Sequence, residues 1–141
     1  MSEPFDQPAW KTVAVLVARL IFAALFVLAF AFKFLGMQQT ADFIAAAGFP
    51  TPLALAWVAA FFEVALAFCL LTGAFFTEAA LLAGAYVIFL ALAFHGPNRW
   101  AAKQEEFGFF VDHFMFLAGL LFAAVHGPGA RCTVPWRLIG R

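Results

Sequence analysis

Charge is scarce in this sequence: 11% of its 141 residues are Asp, Glu, Lys or Arg, and eight basic side chains cancel eight acidic ones. Without a basic excess there is no electrostatic footprint for nucleic acid, and that class of partner is set aside. Cysteine is nearly absent. Cys69 and Cys132 form neither a C-x-x-C pair nor an even framework, so a thioredoxin-like motif is excluded and each reads as a small apolar residue. Three histidines are too few for a metal-binding tract. Walker loop, dinucleotide fingerprint, nucleophile elbow and zincin helix are all missing, which leaves enzymology with a soluble nucleotide cofactor unsupported.

What the sequence has in abundance is apolar side chains: 66% hydrophobic residues, 21 phenylalanines and a mean hydropathy of +0.98. This is the composition of an integral membrane protein. Runs near the length needed to span a bilayer, about 20 residues, occur four times. They cover Val13 to Leu35, Leu53 to Leu71, Glu78 to Phe94 and Phe109 to Val125. A spanning backbone must satisfy its hydrogen bonds internally, so the runs predict four transmembrane helices in an antiparallel all-α bundle. The division is an N-terminal segment over 1–12, a four-helix domain over 13–126 and a tail over 127–141. Acidic Glu3 and Asp6 in "MSEPFDQPAWK" argue against a cleaved leader, so the first span is expected to be retained.

The connections carry their own signals. "GMQQTADFIAAAGFPTP" predicts a short interfacial or re-entrant helix between the first and second spans, ended by Gly48, Pro50 and Pro52. "TGAFFT" is tight enough to make the second and third spans neighbours, and "HGPNRWAAKQEEFG" has room for one helical turn. "HGPGARCTVPWRLIGR" stops the last helix. Lys11, Arg131, Arg137 and Arg141 on the side of the termini, against Lys33, Arg99 and Lys103 opposite, predict cytoplasmic termini. Small residues at helical spacing, Ala79 with Ala83, Ala80 with Gly84 and Gly119 with Ala123, offer faces for close helix approach.

Against this background one residue stands out. Glu63 lies in the middle of "WVAAFFEVALAFCLL", where an ionisable side chain costs about 2.5–3.5 kcal/mol on insertion scales and needs a partner or a cavity. Span one supplies two bases, Arg19 and Lys33, fourteen residues apart, on one face and about 21 Å apart along a helix. Lys33 reads as a snorkelling residue near the far surface, and Arg19, deeper, as the first candidate partner of Glu63. The alternative is that Glu63 carries a proton and bonds a carbonyl or a ligand. His95 and His113 fall at similar depth on the third and fourth spans, weak candidates for a metal or haem, with Asp112 beside them and His126 at the far end of the last span.

Taken in order, "ARLIFAALFVLAFAFKFLG", "AAAGFPTPLALAWVAAFFEVALAFCLLTG", "FHGPNRW" with "FFVDHFMFLAGLL", and the closing "HGPG" resemble the DoxX family of small four-helix bacterial membrane proteins, from about Arg19 to Gly129. The chain departs from that pattern at Glu78, where arginine is common, and at Asp112 and His113, where Lys-Asn is common. The positions carried over are Arg19, Lys33, Glu63 and His95. The resemblance implies a bacterial inner membrane and a place among quinone-linked or redox-stress assemblies.

Three readings follow. The first is an accessory or structural subunit of a larger quinone-linked membrane assembly, in contact with lipid and other subunits. The second is a quinone-binding oxidoreductase subunit in which Glu63 and Arg19 address the ring's carbonyls and protons. The third, a small carrier of lipophiles, ranks last because four spans without an internal repeat give little basis for alternating access.

Overall fold

The structure, a computed structural model, describes residues 8–139. Residues 1–7, with Glu3 and Asp6, and Arg141 of the basic set lie outside the described residues.

Six helices follow one another: α1 (Ala9–Leu35), α2 (Met37–Ala46), α3 (Pro52–Thr72), α4 (Phe76–Phe94), α5 (Pro97–Trp100) and α6 (Gln104–His126). Four of them, α1, α3, α4 and α6, are long and apolar enough to cross a membrane, as the four runs predict. The chain is a multi-pass membrane protein. α3 opens with proline at its first turn, where the missing N–H costs nothing, and closes on Gly73 at φ 76°, a left-handed cap. α6 starts five residues before its apolar run because Glu105 and Glu106 occupy its first turn, at the positive end of the helix dipole. α2 is the short helix expected between the first two spans, and α5 is the single turn expected in the third loop.

Helix pairing decides where space remains. The closest pairs are α1 with α3 and α4 with α6, whereas α3 and α4, joined by the tight turn, touch more lightly. The small-residue face of α4 is buried: Ala79, Ala80 and Ala83 belong to the main core, and a Cβ on Gly84 would stand 3.3 Å from Leu117 of α6. Gly119 of α6 likewise lets Phe22 of α1 approach, with 2.7 Å from its ideal Cβ position to the ring. A second core, Ala41 and Ile44 of α2 with Ala56 and Phe94, seals the end of the bundle opposite the termini. Phe43 stacks on Phe94 at 5.1 Å, fixing α2 over the end of α4.

At the other end the tail folds back as part of the bundle. Val134 N–H donates to Thr72 O at 3.0 Å, Phe75 N–H donates to Trp136 O at 2.6 Å, and the Glu78 carboxylate accepts from Ile139 N–H at 2.6 Å and from Leu138 N–H. A Cβ on Gly73 would meet Thr133 at 3.0 Å and Pro128 at 3.1 Å. The outer faces carry large exposed apolar residues such as Phe122 and Met115, the surface a bilayer would solvate.

Candidate functional site

The site is built around Glu63, the twelfth of the 21 residues of α3 and 1% exposed. Its Oε1 accepts two hydrogen bonds, one from Lys33 Nζ at 2.8 Å and one from Tyr86 O–H at 2.8 Å. Its Oε2 is buried and has no protein partner. Helices α1, α3 and α4 thus converge on one carboxylate oxygen and leave the other uncommitted.

This arrangement corrects two expectations. Arg19 is not the partner of Glu63. Its guanidinium, 2% exposed, donates from Nη1 to Pro128 O and from Nη2 to Cys132 O, both at 2.9 Å, and so clamps the tail. The reason is depth. Arg19 comes level with the C-terminal end of α3, where the tail lies, about 21 Å along α1 from Lys33. Nor does Lys33 snorkel to the far surface. Phe34 packs edge-on against Trp57 at 5.8 Å and Phe61 at 5.7 Å, which sets the end of α1 against the middle of α3 and turns Lys33 toward Glu63. The chain then breaks at Gly36, and α2 covers the remaining depth.

Tyr86 is the residue that sequence reasoning missed. It is the only tyrosine in the chain, and a phenol within an apolar run needs a hydrogen-bond partner as a carboxylate does, so the signal was present. Its ring also packs edge-on against Phe62 at 5.1 Å, which holds the hydroxyl over Glu63.

Two adjoining cavities flank this triad. The outer one, about 790 Å³ and partly open, lies among α1, α2, α3, α4 and α6, its apolar wall including Phe32, Phe43, Phe62 and Phe89 and its polar groups including Lys33, Tyr86, His95 and His113. The other, inner in that it touches Glu63, is about 220 Å³ and also partly open; it borders Glu63, Tyr86 and His113 and is otherwise apolar, with the exposed Leu25 and Phe116 in its wall. Both share Ala29, Tyr86, Leu90 and His113. The light contact between α3 and α4 leaves this space open.

His95 and His113 do meet, with ring centroids 5.2 Å apart. His95 Nδ1 is bound to Glu106 Oε2 at 2.6 Å, and His113 Nδ1 to Phe109 O at 2.6 Å. Among the described residues no three His, Cys, Asp or Glu side chains are grouped so as to hold a metal ion.

Fold and site together define a small four-helix membrane protein with a charge-paired carboxylate beside an apolar cavity. The DoxX family model matches residues 14–96, and the chain belongs to that family. The match takes in Arg19, Lys33, Glu63, Tyr86 and His95, while α6 with His113 and Glu106 lies beyond it. No curated protein and no solved structure matches the chain.

Proposed function

We propose that this DoxX-family protein binds a quinone within the membrane as one subunit of a larger redox assembly. The observation that carries the reading is the Lys33–Glu63–Tyr86 triad, two of whose members, Lys33 and Tyr86, line an apolar cavity of about 790 Å³. That volume falls within the roughly 300–1,000 Å³ usual for small-molecule sites. The pairing of Lys33 with Glu63 balances their charges, which favours a neutral guest over an anion. Lys33 lines the cavity, and its ammonium has three N–H groups, of which Glu63 takes one. A donor of this kind suits a ring carbonyl, the phenylalanine walls suit the ring, and the partly open side gives an isoprenoid tail a way into lipid.

A bound quinone supplies two-electron, two-proton chemistry. In this reading the chain's own residues bind and orient it: Lys33 donates to an oxygen, Glu63 fixes Lys33, and Tyr86 fixes Glu63. The uncommitted Glu63 Oε2 is a place to hold a proton. Electrons are the contribution of a partner subunit, for which the exposed apolar flanks of the bundle offer contact surface.

The test is binding of decyl-ubiquinone to the purified protein in nanodiscs, alongside native mass spectrometry of protein extracted gently from its own membranes. Saturable binding that falls at least about ten-fold in Lys33→Met/Glu63→Leu, the loss of a charged hydrogen bond, is the expected result. Equal affinity in that variant would sink the quinone site. Recovery of the chain without any stoichiometric partner subunit would count against the assembly.

A further inference from the structure

Glu63 sits deep in the bundle with an oxygen that no protein group satisfies, and its side chain belongs to the lining of the inner cavity. A buried carboxylate oxygen left dry is costly, and a cavity of about 220 Å³ has room for several waters at roughly 30 Å³ each where polar partners line it. Three such partners are present, Glu63, Tyr86 and His113. The groups facing Glu63 are therefore Lys33 from α1, Tyr86 from α4 and, across the inner cavity, His113 from α6.

From His113 the titratable side chains continue outward. Its Nδ1–H donates to Phe109 O, since a carbonyl can only accept, and this leaves Nε2 as the nitrogen free to exchange a proton. The His95 ring follows at 5.2 Å, and its Nδ1 is held by Glu106 at 2.6 Å, again leaving Nε2 free. His95 caps the end of α4 and Glu106 lies in the first turn of α6, so this end of the series reaches the membrane face opposite the termini. The alternative routes toward Glu63 are the open sides of the two cavities, which a lipophile in the outer one and acyl chains against Leu25 and Phe116 of the inner one close to solvent.

We propose that Glu106, His95 and His113 form a proton inlet that serves Glu63 from the face opposite the termini, by way of water in the inner cavity. The inference rests on the quinone reading for its purpose, because the protons taken up with a quinone's electrons must enter a site covered by the quinone itself. A proton accepted from solvent at the Glu106–His95 pair passes to His113 Nε2, then to cavity water, and stops on Glu63 Oε2. No electron moves along this path. Glu106 is a positioning group that holds His95; His95 and His113, which also line the outer cavity, relay the proton, and Glu63, which holds Lys33, receives it.

The experiment follows hydrogen–deuterium exchange at the triad by time-resolved infrared spectroscopy of the full chain in phosphatidylcholine nanodiscs, with and without decyl-ubiquinone. Deuteration of Lys33 Nζ and the Tyr86 hydroxyl shifts the carboxylate stretch of Glu63, which is assigned by its loss in Glu63→Gln. The expected result is exchange slowed at least about ten-fold in both Glu106→Gln and His113→Phe, a modest figure for loss of a proton-transfer group. Free imidazole should restore the rate in His113→Ala, which a purely structural role for the histidine would not allow. Exchange at the wild-type rate in both variants, slowing in one of them alone, or no response to imidazole would overturn the inlet. Failure of quinone to bind shows in the binding assay and leaves the quinone-free exchange to decide the inlet separately.

Discussion

Lys33 and Glu63 stand 30 residues apart in the chain and 2.8 Å apart in the fold, one at the end of α1 and the other in the middle of α3. Their side chains are unequally covered, 21% and 2% exposed, because the ammonium looks into the outer cavity while the carboxylate is enclosed. The pair therefore both fixes the contact between α1 and α3 and presents a donor to whatever fills the cavity.

Removing one member leaves the other without its counter-charge, whereas replacing both by apolar groups of similar size removes the problem along with the pair. Lys33→Met and Glu63→Leu are each expected to lower the unfolding midpoint in detergent, and the double variant to recover most of the loss. A coupling of about 1–2 kcal/mol, the upper part of the range for polar pairs between membrane helices, is expected from the double-mutant cycle. Additive losses would mean that the pair does not hold these helices together.

Tyr86→Phe is a finer probe of the same network. The ring keeps its edge-on contact with Phe62, and Glu63 Oε1 keeps Lys33, so only the phenolic hydrogen bond disappears. A stability loss of about 0.5–1.5 kcal/mol by denaturant titration is expected. A variant as stable as the wild type would show that the hydroxyl contributes nothing to holding the carboxylate.

Much of this was legible in the sequence, and the part that was not has a physical cause. Apolar run length identified four spans, and Glu63 announced itself because a carboxylate in lipid needs an explanation. Its partner is Lys33 and not the expected Arg19 because the ends of an apolar run do not mark the depth at which a helix ends. The run of α1 continues to Leu35, but Phe34 packs on Trp57 and Phe61, so the helix ends against the middle of α3. Arg19, which looked deep, comes level with a tail whose fold-back left no periodic signal. The link between His95 and Glu106 leaves no mark in the hydropathy pattern because α6 begins before its apolar stretch.

Arg19→Met tests the tail. It takes two charge-assisted hydrogen bonds from the carbonyls of Pro128 and Cys132, each worth about 1.5–3 kcal/mol. Trypsin should then cut after the exposed Arg131 much faster than in the wild type. Gly73→Ala should act in the same direction, because φ is 76° there and a Cβ meets Thr133 at 3.0 Å. Unchanged cleavage in both variants would show that the tail is held by other contacts.

Ala29→Phe addresses the space itself. Ala29 borders both cavities and lies one helical turn before Lys33, so a larger side chain there fills the junction between them while both members of the ion pair are kept. Filling a void adds buried apolar contacts, and the expected change in stability is within about 1 kcal/mol of the wild type. Decyl-ubiquinone affinity should nonetheless fall at least about ten-fold, the equivalent of 1.4 kcal/mol, because the guest loses its place beside Lys33. A folded variant that binds as well as the wild type would place the quinone elsewhere, whereas loss of binding with the Lys33–Glu63 coupling preserved would separate the role of the cavity from that of the charge pair.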